Sequence, residues 1–151
     1  MPEDRGLQTI FRLAYGLGLV LCVVWPLVLQ VLIGRMLQPG LLGAVDLARD
    51  LGYTFTGLVA LSALYVVRRS KRVREGFAQV EPPKRGRVIA LETLLYSALF
   101  GLSTLFGLAY LALGGPEASR YARSFVALSP VMFLLFVPRL AAWHKALAPR
   151  T

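Results

Sequence analysis

Between Arg12 and Arg35 the chain runs for 22 residues without a charged side chain. At a rise of about 1.5 Å per residue, a helix of that length crosses a hydrocarbon core of about 30 Å. A backbone in hydrocarbon has to satisfy its own amides, so a run of this kind restricts the chain to membrane helices. Composition points the same way. Of 151 residues, 56% are hydrophobic and mean hydropathy is +0.61, above the roughly 45–50% apolar content of soluble domains.

Three further runs follow. Leu51 to Val67 is charge-free for 17 residues. Before it, Leu41, Val45, Ala48 and Leu51 fall on one helical stripe and Asp46, Arg49 and Asp50 on another, which predicts a short interfacial helix leading into span two. The third run follows Arg87 and reaches Gly115 with one interruption, Glu92. Gly114 to Glu117, "GGPE", reads as helix end, turn and restart. The fourth, Ser124 to Pro138, has 15 residues and needs its flanks to span. Tyr121 and Trp143 are then expected as interfacial aromatics, with Arg123 and Arg139 snorkelling to opposite headgroup layers. The predicted fold is an all-α integral membrane protein: a four-transmembrane-helix bundle forming a single membrane domain, with spans near 10–34, 47–67, 88–113 and 121–143.

Charge predicts the orientation. The stretch from Arg68 to Arg87 carries eight basic and two acidic residues and reads as a cytoplasmic loop over 68–87, with "EPPK" as an extended crest. Four spans place both termini and this loop on one side with thirteen Lys plus Arg, against Arg35, Arg49, Arg120 and Arg123 on the other. By the positive-inside rule both termini are cytoplasmic, in a multi-pass protein of a bacterial inner (plasma) membrane. A three-span alternative would put Lys145 and Arg150 outside. The opening "MPEDRGLQTIFR" lacks the positive start and cleavage site of a secretory signal, so the first span is expected to be a retained anchor.

The net charge of +9 is interspersed among apolar runs rather than gathered on a soluble face, which argues for acidic lipid headgroups and against nucleic acid. Arg68, Arg69, Lys71, Arg72, Arg74, Lys84, Arg85 and Arg87 are the candidate contacts to acidic lipid or to a partner. Small residues at helical spacing mark candidate packing seams, since lipid supplies no hydrophobic force between helices. These are Gly52, Thr56 and Ala60 in span two, and Ser97 with Gly101 and Ser103 with Gly107 in span three. "VALS" occurs at Val59 to Ser62 and again at Val126 to Ser129, as a duplicated hairpin would produce.

Glu92 is the one acid inside an apolar run, and such groups are functional candidates. Arg139 lies at the same level on antiparallel span four, so an intramembrane ion pair between Glu92 and Arg139 is predicted, with Arg12 as competitor. Asp46, Arg49 and Asp50 read as a solvated face. Cys22 is the only cysteine and His144 the only histidine, which excludes an intrachain disulfide, a thiolate metal cluster and bis-His heme ligation. With no phosphate loop and no nucleophile arrangement, no catalytic residue, metal or cofactor is expected.

Three functions compete. The leading one is a small noncatalytic membrane subunit or assembly factor that packs against other membrane subunits or itself. The alternative is a protomer of a homo-oligomeric transporter or channel, with Glu92 as coupling group and Pro26 and Pro130 as hinges. It resembles the small multidrug carriers in size and span number, but span one has no counterpart of their membrane-central acid. The third is a membrane enzyme acting on lipid or quinone.

Overall fold

The structure, a computed structural model, describes residues 2–33 and 45–147. Helix α1, Pro2–Leu19, passes through a π turn at Val20–Val24 into α2, Trp25–Ile33. Pro26 explains the interruption. It has no N–H to donate and its ring crowds the carbonyl four residues back. The chain responds by widening the preceding turn, where the Trp25 N–H donates to the Val20 carbonyl, five residues back.

Helix α3, Val45–Gly76, is joined to α4, Pro82–Phe136, through a 3₁₀ turn at Phe77–Gln79. The stretch expected as a loop over 68–87 is therefore almost wholly helical. Its prolines do not form an extended crest: Pro82 and Pro83 open α4, where a missing N–H costs nothing because the first helical donors have no intrahelical acceptor. The stripe Val66, Ser70, Val73 and Phe77 carries α3 past the last apolar residue of span two, and all but the partly buried Val73 are fully buried. Residues 41–44 at the start of the predicted interfacial helix, including Leu41, lie outside the described residues; the remainder, from Val45 onward, is already part of α3.

Helix α4 doubles back on itself. A straight helix would separate Ser103 and Phe125 by about 33 Å. Instead the Ser103 hydroxyl donates to the Phe125 carbonyl at 2.6 Å, and Tyr110 packs edge-on against Tyr121. Helical geometry persists through Gly114 to Glu117, yet the limbs on either side are antiparallel neighbours. The second limb ends at Val137, which is extended (φ −75°, ψ 123°) as expected of a residue preceding proline. A short α5, Leu140–Leu147, follows.

Among the described residues four stretches are long and apolar enough to cross a membrane: Arg5–Leu32, Arg49–Gln79, Pro82–Gly114 and Ala118–Leu147. They mark a multi-pass membrane protein. Helix α4 is the hub, since α1, α2 and α3 all make their main contacts with it. In the bundle centre Cys22, Val66, Tyr96, Phe100, Phe133 and Val137 pack together. At one end Leu7, Phe11, Phe77, Ile89 and Trp143 form a second cluster, which brings the start of α1, the α3–α4 turn and α5 to the same end of the bundle. Trp143 is fully buried there, 4.9 Å from Phe77 between ring centroids, rather than standing at an interface as expected. Tyr121 is exposed.

Close packing needs the absent side chain at Gly107, against backbone, and at Gly18, against side chains. A Cβ on Gly107 would lie 2.7 Å from the Ala122 carbonyl and 2.6 Å from Val126, and one on Gly18 would strike Ser97 and Phe133. Replacing Gly107 with Val should therefore separate the limbs of α4 and lower stability by about 1–3 kcal/mol, the usual cost of overpacking. Gly101 faces open space and Gly101→Ala should be neutral. Thermal denaturation of both variants in one detergent measures the contrast.

Candidate functional site

Glu92 sits ten residues into α4, about 15 Å above its start, on the face turned toward α3. Its side chain is only 9% exposed, and isolated ionised carboxylates are not stable at such positions. The compensating charge comes from Arg69. Its Nε donates to Oε2 at 2.8 Å and Nη2 donates to Oε1 at 2.6 Å, a two-pronged fork that matches both carboxylate oxygens. Nη1 donates to the Tyr65 hydroxyl at 3.0 Å, one turn earlier on α3, which orients the guanidinium. Arg69 itself is 40% exposed on its side chain.

The predicted partner, Arg139, is not the one Glu92 meets. Arg139 is exposed at the break between α4 and α5. Once α3 continues helically past Val67, Arg69 is presented one helix away from Glu92 and takes its place. Sequence reasoning had placed Arg69 in a loop; the helical stripe through Val66, Ser70, Val73 and Phe77 was the signal that it lies on α3.

The eight basic residues divide by use. Arg69, Arg74 and Arg85 are tied into the fold, Arg74 by donating from Nε to the Ser70 carbonyl at 3.1 Å and Arg85 from Nε to the Val80 carbonyl at 3.0 Å. Arg68, Lys71, Arg72, Lys84 and Arg87 are exposed, and Lys84 also reaches Glu81 at 2.8 Å on the surface. Spans two and three have 31 and 33 residues, so each exceeds a hydrocarbon crossing by about 15 Å. The surplus on both helices is the basic hairpin, beside the start of α1 and α5.

The candidate packing residues also divide. Ser103 and Gly107 both lie between the limbs of α4. Ser97 is buried, but against Gly18 of α1, and its carbonyl accepts from the Cys22 thiol at 3.0 Å. A Cβ on Gly101 would meet nothing within 4 Å. Gly52 faces the Tyr110 ring, whereas Thr56 and Ala60 are exposed, the Thr56 hydroxyl donating to the Gly52 carbonyl of its own helix. Buried hydroxyls of Thr93 and Thr104 have no hydrogen-bond partner among the described residues.

No three His, Cys, Asp or Glu residues gather closely enough to hold a metal among the described residues. Comparison with protein-family models, curated proteins and solved structures found no match.

Removing one partner of the fork leaves the other charge without compensation. Glu92→Gln and Arg69→Gln should each lower stability by about 1–3 kcal/mol, between the values for exposed and fully buried pairs. Arg139→Gln should have no comparable effect. The exchange Arg69→Glu with Glu92→Arg should recover part of the loss, and thermal melts of the double-mutant cycle in detergent measure the coupling. Additivity of the two single changes would rule the pairing out.

Proposed function

We propose that this chain is a small noncatalytic subunit or assembly factor of a larger membrane complex. It lies in a bacterial inner membrane with both termini cytoplasmic, and its basic hairpin rests on acidic headgroups or an acidic partner surface. The division of the basic stretch carries this reading. Five of its cations are exposed beyond the membrane-crossing length, while the cations near Glu92, the one buried acid among the described residues, and at the turn are occupied within the fold. Glu92 held in a fork with Arg69 is poorly suited to act as a coupling group, since releasing it would strand a guanidinium and a carboxylate together. The low burial of span two, 11% of its apolar window against 39% for span three, agrees with a helix left available to lipid or to another subunit.

Each basic residue near an anionic surface contributes about 1 kcal/mol. Changing Arg68, Lys71, Arg72, Lys84 and Arg87 together to Gln should therefore weaken retention of acidic lipid or partner by about three to four orders of magnitude. Native mass spectrometry after gentle solubilisation reads this loss directly, and tags on the termini report whether orientation is kept. A pure homo-oligomer that supports solute or ion flux in proteoliposomes, with flux lost in Glu92→Gln, would favour the carrier reading instead.

A further inference from the structure

At the end of the bundle remote from the α3–α4 turn, α2 and the second limb of α4 do not close on each other. They leave a groove of about 450 Å³ between Pro26 and Leu27 on one wall and Ala127 and Pro130 on the other, with Arg123 at its mouth. The volume lies within the range of small-molecule sites, about 300–1,000 Å³. What keeps the walls apart is a side chain: Gln30 Nε2 donates to the Arg123 carbonyl at 2.7 Å, so the helices are spaced by an amide's length instead of meeting at a glycine. Leu27, Arg123, Ser124 and Ala127 are exposed, so the groove opens outward from the bundle.

The charge at the mouth needs an anion. Among the described residues the Arg123 guanidinium has no ion pair or hydrogen bond, and the connecting residues 34–44 contain no acid. An unpaired guanidinium at the edge of hydrocarbon is costly unless it reaches a counter-charge. Arg120, one turn further out and also exposed, adds a second cation. From Arg123 to Pro130 the groove runs about 10 Å along the helix, from headgroup level toward the midplane. Its polar end is cationic and its deeper lining is apolar.

We propose that this groove binds one anionic phospholipid of the leaflet remote from the α3–α4 turn: Arg123 holds the phosphodiester, and the cleft between Pro26 and Pro130 holds the upper part of an acyl chain. The site is distinct from the basic hairpin at the opposite end and does not depend on the subunit reading.

Delipidated protein titrated with phosphatidylglycerol and read by native mass spectrometry should take up one tightly held lipid. Arg123→Gln should weaken that event by roughly tenfold or more, the usual scale for a hydrogen bond to a charged group. Ala127→Trp, which fills an exposed position on the apolar wall, should weaken it comparably. Both variants should melt with the unaltered protein, because the Gln30 bond is to the Arg123 main chain. The five-fold Gln variant of the hairpin should retain this lipid. The proposal is overturned if both groove variants bind phosphatidylglycerol as the unaltered protein does, or if glycerol phosphate without acyl chains binds equally well. It is also overturned if Ala127→Cys crosslinks in membranes to another protein chain, which would make the occupant a helix.

Discussion

The bundle depends on close backbone approach to α4. In hydrocarbon an apolar side chain gains nothing by leaving lipid for another apolar side chain, so helices are held by dispersion contacts and a few hydrogen bonds at short range. Gly107 lets the second limb of α4 come within contact of the first, and Gly18 lets α1 settle against Ser97 and Phe133 on both limbs. The Ser103 hydroxyl and the Cys22 thiol add bonds to main-chain carbonyls at those same crossings. Spans three and four thereby become the packed interior and span two remains peripheral.

On that frame the charges acquire separate tasks. The fork between Arg69 and Glu92 ties α3 to the hub beside the buried stripe of Val66, Ser70 and Phe77, and it fixes the rotation of α3 about its own axis. A bidentate guanidinium is directional in a way that a lysine ammonium is not. Below the fork, the rest of the basic stretch rides on two helices that outrun the bilayer. Cations that a sequence presents as one block thus divide into those bonded within the fold and those left exposed.

Proline has a comparable double use. Pro26 widens α1 into a π turn by withholding an N–H, Pro82 and Pro83 start α4 where that N–H is not needed, and Pro138 stops it by holding Val137 extended. The same residue type that was expected to break the hairpin crest instead begins a helix there, because the first turn has no intrahelical use for the missing donor. The groove at the far end forms where two proline-bearing walls are bridged by Gln30 rather than by a small residue.

Much of the architecture was legible along the chain. The helical class and four membrane-length stretches follow from charge-free runs and a fixed rise per residue, which are one-dimensional quantities. Gly114 to Glu117 reads as helix end, turn and restart; the limbs there are antiparallel, but helical geometry continues through these residues without the expected break. The apolar stripe through the basic stretch was also present in the letters, masked by the density of charge around it. What the letters could not carry was azimuth: which face of each helix turns to which neighbour. Level along the bilayer made Arg139 and Arg69 both eligible for Glu92, and Trp143 eligible for an interface or a core. Only the packing of α3 and α5 against the hub decided between them, because contact between helices depends on rotation about their axes, and rotation is set by the small-residue crossings of the whole bundle at once.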